Sequence, residues 1–228
     1  MSATLSRRDW LTAAGGVLVG AAATEVGNLL TPDSMPSPKK IASPGEELMV
    51  EHGVLNRVLL AYREISTQLQ AGIIVPAEVI TDSAQIILDF VESFHEGLEE
   101  AYVFPRVRSG KPDLVTTLLT QHDRGRHLTA SIITASTENV SLPPIRDGLV
   151  NAMNKFVRMY EPHEAWEDTV IFPALRKSSS PKTLDLLAER FADLENKQFG
   201  DDALRKMLQR ISGIEAQLGI GDLAKFTP

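Results

Sequence analysis

The chain has 228 residues and a mass of 25.0 kDa, with 43% hydrophobic and 23% charged residues, enough apolar material for a packed core. Its formal charge of −7 argues against a nucleic-acid partner, which needs a basic face to displace counterions. The absence of cysteine excludes disulfides, thiolate metal sites, iron–sulfur clusters and a cysteine nucleophile, so any site chemistry must use oxygen and imidazole ligands.

Ser6-Arg7-Arg8-Asp9-Trp10-Leu11 places paired arginines directly before an apolar run from Ala13 to Ala23. That run is short and rich in glycine and alanine, a poor match to a permanent membrane span. Ala21-Ala22-Ala23 supplies a small-residue cleavage pattern. The segment resembles a twin-arginine export signal, with Trp10 where such signals more often carry phenylalanine. The expectation is a signal peptide over residues 1–23, handled by the twin-arginine export machinery, and a periplasmic protein. Because that route carries folded proteins, often already loaded with a cofactor, it also raises the expectation of a bound metal. Residues 24–43 then form a linker, with Pro32, Pro36 and Pro38 holding it extended.

The remaining punctuation marks helices. Ser43-Pro44 opens the first, to about Gln70; Pro76 opens the second, to Phe104-Pro105; Pro112 opens the third, to about Thr137. Pro143-Pro144 opens the fourth, ending near Phe172-Pro173; Ser180-Pro181 opens a fifth, and residues 201–218 make a sixth. Apolar residues recur at three- and four-residue intervals, as in Leu48, Leu55, Leu59 and Leu60, and no alternating strand pattern appears. The expected fold is all-α, an up-down-up-down four-helix bundle over residues 44–176. A helical extension follows over 177–228, whose Leu184, Leu187, Phe191 and Leu194 pack either on the bundle or on a second copy as a homodimer.

The five histidines fall on the first four helices: His52, His95, His122 with His127, and His163. His95-Glu96-Gly97-Leu98-Glu99-Glu100 followed by Phe104-Pro105 repeats, 68 residues on, as His163-Glu164-Ala165-Trp166-Glu167-Asp168 followed by Phe172-Pro173. His52 and His122 are 70 apart, so the chain reads as two helical hairpins carrying one set of groups. Residues at i and i+4 share a helix face, so His95 with Glu99, and His163 with Glu167, each aim an imidazole and a carboxylate inward. Two buried carboxylates facing each other would cost several kcal/mol. A pair of divalent cations resolves that conflict, and an oxygen and nitrogen donor set suits iron first, then manganese or zinc.

On these residues the chain resembles the hemerythrin-like, HHE cation-binding family. The family pattern is a histidine in the first helix, H-x-x-x-E with a following F-P in the second, a histidine in the third and H-x-x-x-E again in the fourth. Gln121-His122-Asp123-Arg124-Gly125-Arg126 also matches the family's third-helix E/Q-H-x-x-G-R. The resemblance implies a four-helix bundle holding two non-haem iron ions, oxo- or hydroxo-bridged, on His52, His95, Glu99, His122, His163 and Glu167, with the carboxylates bridging. It also implies dealings with a small ligand, such as dioxygen, peroxide or nitric oxide. Oxygen-carrying hemerythrins have a further histidine where this chain has Arg126, so two positions on the metals stay open and reaction becomes more plausible than reversible carriage. The alternative is a non-catalytic metal-binding module for iron or oxygen sensing or storage.

Neighbouring residues carry blander expectations. His127 falls about 140° round the helix from His122 and off its stripe. Glu96 and Glu164, one step after each motif histidine, read as solvated helix face, although each can reach a metal. Glu100 and Asp168 read as pointing toward solvent. Tyr102 and Tyr160 read first as core packing, Pro162 as a kink in the fourth helix, and Trp166 and Met159 as walls against water. Rival constellations fail on spacing: H-E-x-x-E lacks the second histidine of zinc peptidases, and Glu92-x-x-His95 is a single E-x-x-H where ferritin-like sites need two.

Overall fold

A computed structural model describes residues 43–227; the twin-arginine segment and nearly all of the linker lie outside them. Helix α1 spans Pro44–Gln70. Its start is a capping box: the Ser43 hydroxyl accepts from the Glu46 amide, and the Glu46 carboxylate accepts from the Ser43 amide. The second helix, α2, begins as Ala77–Ile86 and runs on through a π-helical stretch Ile87–His95, the single turn Glu96–Leu98, a second π-helical turn Glu99–Val103 and Phe104–Val107. Helix α3 spans Pro112–Ser136. Helix α4 spans Pro143–Trp166, then a π-helical turn Glu167–Ile171 and Phe172–Ser178. Helices α5 (Pro181–Phe199) and α6 (Ala203–Leu218) and a 3-10 turn Leu223–Phe226 complete the chain. Among the described residues the fold is all helix.

Helix α1 packs on α2 and α4, and α3 packs on the same two, which leaves α1 opposite α3 and α2 opposite α4. The core between them is built from wholly buried side chains such as Leu48, Tyr62, Ile80, Phe90, Phe156 and Ile171. Each such residue contributes roughly 1.5–3 kcal/mol through removal of apolar surface from water. Helices α5 and α6 pack on α1 of the same chain, and Leu187 and Phe191 join this core, with Leu184 and Leu194 partly buried against it.

The two Phe-Pro pairs explain the widened turns beside the motif. Pro105 and Pro173 have no N–H to give, and each ring crowds the carbonyl four residues back. The turn ahead of each prolyl ring therefore opens to i→i+5 bonding, with Phe104 N–H donating to the Glu99 carbonyl and Phe172 N–H to that of Glu167. The fourth helix consequently passes through Pro173 and continues to Ser178 rather than ending at it. Pro162 likewise sits inside α4 without ending it.

Candidate metal centre

The structure brings His52, His95, Glu99, His122, His163 and Glu167 together in the middle of the core, all buried. Helix α1 supplies His52, α2 supplies His95 and Glu99, α3 supplies His122, and α4 supplies His163 and Glu167. Each imidazole is held from outside by its Nδ1. That atom lies 2.8 Å from Asp168 in His52, 2.8 Å from Glu51 in His95, 2.9 Å from Glu100 in His122 and 2.9 Å from Gln121 in His163. Carboxylate oxygens only accept, as does the Gln121 carbonyl oxygen, so each Nδ1–H donates outward and each Nε2 faces inward.

The inward nitrogens meet in two pairs, His52 with His95 at 3.1 Å and His122 with His163 at 3.2 Å. Both pairs share the same two carboxylates. Glu99 lies 3.6 Å from His95 Nε2 and 3.5 Å from His122 Nε2. Glu167 lies 3.4 Å from His52 Nε2 and 3.1 Å from His163 Nε2. His52, His95, Glu99 and Glu167 thus form one cluster of ligand atoms, and His122, His163, Glu99 and Glu167 the other.

Four buried oxygens, both of Glu99 and both of Glu167, have no hydrogen-bond partner among the described residues. Native interiors rarely leave such groups unpaired, because each costs about 1–3 kcal/mol and charged ones more. Without cations the cluster must hold protons instead. Burial and the facing Glu167 push Glu99 well above the usual carboxylate range. For Glu167 burial acts upward, but the His163 and His52 imidazoles outweigh it and hold the group low. Burial lowers His52, yet its bond to Asp168 and the nearby charge of Glu167 push it up to about 10, while burial holds its partner His95 down. One imidazolium then sits against one neutral ring, in the place a cation fits. Donor chemistry, orphaned oxygens and inward nitrogens all match a pair of divalent cations.

The residues around the ligands correct several sequence expectations. Glu100 and Asp168 do not point to solvent; they hold His122 and His52 from neighbouring helices. An angle of about 140° from the histidine on the same helix holds only for α geometry, whereas the chain is π-helical from Glu99 and from Glu167. Glu96 and Glu164 are buried rather than solvated. Glu96 accepts from the Tyr160 hydroxyl at 2.6 Å and from Arg126 at 2.8 Å, and Glu164 accepts from Asn56. Asn56 and Arg126 stand four residues after His52 and His122, so the two halves use one plan with different side chains. Burial raises both Glu96 and Glu164 to about 8.

Trp166 is 53% exposed and walls off nothing; Phe172 and Phe104 do that instead, lying over His52 and His122 at ring separations of 5.6 and 5.5 Å. Tyr102 accepts from Arg190 and packs on Phe191, outside the cluster. His127 is 73% exposed and stands outside the cluster. The sequence reading passed over Glu51, which holds His95, and gave Gln121 no role. Their signal was present: an acid or amide precedes the histidine of the first and of the third helix, in Glu51-His52 and Gln121-His122.

The Gly125-Arg126 pair also acquires a reason. A Cβ at residue 125 would stand 2.0 Å from the Tyr160 hydroxyl, so only glycine lets that tyrosine reach Glu96. Arg126 bridges Glu96 and Glu100 and is thereby committed away from the metal position.

The hemerythrin HHE cation binding domain matches residues 113–225, which include His122, His163 and Glu167. An uncharacterized protein of Mycobacterium tuberculosis and one of Mycobacterium bovis are each 45% identical to the chain over 200 residues, covering 86% of it and 78% of their own length. Residues 113–225 thus belong to the hemerythrin HHE cation-binding family. His52, His95 and Glu99 precede the matched residues, yet they complete the cluster that His122, His163 and Glu167 begin. No solved structure matches the chain.

Proposed function

We propose that the chain is an exported non-haem di-iron protein that binds or reduces a small species such as dioxygen, peroxide or nitric oxide. The observation that carries this reading is the pair of imidazole clusters sharing two carboxylates whose four oxygens are otherwise unsatisfied. In this reading residues 44–176 form an up-down-up-down four-helix bundle and residues 177–228 an extension packed against it. His52 and His95 hold one iron, His122 and His163 the other, and Glu99 and Glu167 serve both. Bound there, iron supplies Lewis acidity and electron transfer toward a small ligand. The protein's own contribution is positional. Asp168, Glu51, Glu100 and Gln121 fix the imidazoles with Nε2 inward, while Phe104 and Phe172 shield them from water. Arg126 occupies the position of the additional histidine of oxygen carriers and is engaged by two carboxylates, which favours reaction over carriage.

Iron-loaded protein is expected to consume hydrogen peroxide or nitric oxide over repeated additions. A reversible optical change with oxygen and no consumption would instead make it a sensor or store. Export rests on Arg7 and Arg8 ahead of the apolar run. Replacing both with lysine is expected to leave the protein in the cytoplasm, measured by cell fractionation, and undiminished export of that variant would overturn the assignment.

A further inference from the structure

Between α2 and α3 lies a groove of about 720 Å³ whose walls include Leu88, Glu92, Gly97, Glu100, Arg126 and Ile133. It comes within one side chain of the metal centre, because Glu100 in its wall is the group that holds His122. Arg126 stretches across the same wall, from Glu100 at 2.6 Å to Glu96 at 2.8 Å, with its own side chain 40% exposed. Behind it the Tyr160 hydroxyl donates to Glu96, and the Tyr160 ring lies 5.2 Å from that of His163.

A second set of groups points to an occupant. Glu92 lines the groove but is only 5% exposed, and one of its oxygens has no hydrogen-bond partner among the described residues. The hydroxyl of Tyr62, wholly buried, is also without a partner among the described residues. The buried Thr129 hydroxyl is within hydrogen-bonding reach of the Glu92 carboxyl, and Glu92 is close enough to Tyr62 and Tyr160 to act on both, so these groups form one neighbourhood. A hydroxyl donor and a carboxyl oxygen left unsatisfied side by side in a protein interior are met by water or by a small molecule that both donates and accepts. Glu100 pairs with Arg126 in the groove wall, so the approach offers no unpaired cation to draw in an anion.

We propose that this groove is the entrance by which a small, neutral, hydrogen-bonding molecule of the hydrogen peroxide class reaches the His122–His163 half of the centre. Arg126 is its cover, Glu92 lines the way in, and the buried Tyr62 and Thr129 hydroxyls are the neighbours of Glu92 on the inner side. The proposal rests on the metal-centre reading for its destination, but the path can be tested without metal.

Gly97 is the place to test it, because a side chain added there meets nothing within 4 Å and extends into the groove. Phenylalanine is also the better helix former, so Gly97→Phe is expected to fold. Gly53→Phe on α1 is the control, since residue 53 is exposed, equally open and remote from the groove lining. Both variants are loaded with iron, checked for unchanged metal content and mixed with hydrogen peroxide. Gly97→Phe is expected to slow the optical change about tenfold or more, with Gly53→Phe leaving it unaltered. In metal-free protein, dissolved dioxygen serves as a paramagnetic probe of the Thr129 methyl group. Its relaxation effect is expected in the parent protein and reduced in Gly97→Phe. Arg126→Leu, which removes the cover, is expected to raise the relaxation effect. If plugging the groove leaves both the peroxide rate and the Thr129 relaxation unchanged, or if both glycine variants slow the reaction equally, the entrance is elsewhere. If the iron protein ignores peroxide altogether, the functional reading fails, and the Thr129 relaxation still decides the entrance.

Discussion

Glu167→Ala is expected to cost the protein at least one of the two metals proposed for it, together with any optical signature that depends on oxygen or peroxide. Glu167 lies against an imidazole of each cluster, at 3.4 Å from His52 and 3.1 Å from His163, so its removal takes a ligand from both. Metal binding and folding are linked in such sites, so thermal stability should fall with metal content. Asp168→Ala is the graded comparison. Asp168 touches no ligand position but accepts from His52 Nδ1 at 2.8 Å. Losing such an outer partner typically weakens metal affinity about 10–100-fold, so Asp168→Ala should retain both metals at saturation and lose one first under chelator competition. Metal stoichiometry, chelator titration and melting temperature, measured on both variants together, decide the order. Full metal retention by Glu167→Ala would remove Glu167 from the site.

Gly125→Ala is expected to destabilise the fold by about 1–3 kcal/mol despite placing a better helix former in a helix. The added methyl would overlap Tyr160, at 2.0 Å from its oxygen and 2.8 Å from Cζ. Tyr160 cannot step aside, because it is buried, stacked on Phe156 at 4.3 Å and bonded to Glu96. Gly148→Ala provides the opposite sign. Residue 148 is exposed within α4 and a Cβ there meets nothing within 4 Å, so helix propensity alone should stabilise by about 0.5–1 kcal/mol. Melting temperatures moving in opposite directions support the packing argument. A Gly125→Ala protein as stable as its parent would show that Tyr160 has somewhere else to go.

The convergence of these imidazoles and carboxylates was legible in the sequence because i,i+4 spacing is insensitive to context. His95 with Glu99, and His163 with Glu167, lie on one stripe in any straight helix, and the repeated 68- and 70-residue offsets tie the four helices together. What surrounds the ligands was not legible by the same rule. A position about 100° from the core line of an isolated helix looks solvated, but in a bundle it faces the neighbouring helix. Glu96 and Glu164 sit at that angle, and Arg126 with Tyr160, and Asn56, meet them there. The partners of Glu100 and Asp168 escaped notice for a related reason, since the histidines they hold belong to other helices. Pairings across a bundle depend on how helices are rotated against one another, which periodicity within one helix does not encode. The Phe-Pro repeat was visible as a pattern, but its work, opening a turn after each motif glutamate and laying a ring over His122 or His52, needs the third dimension.

The most direct test of the whole account is anomalous X-ray diffraction at the iron edge on crystals of protein purified from iron-supplied cells. Two iron peaks per chain are expected, one beside His52 and His95 and one beside His122 and His163, each within reach of both Glu99 and Glu167. A folded chain with no metal at this position, or with a single tetrahedral zinc, would contradict it.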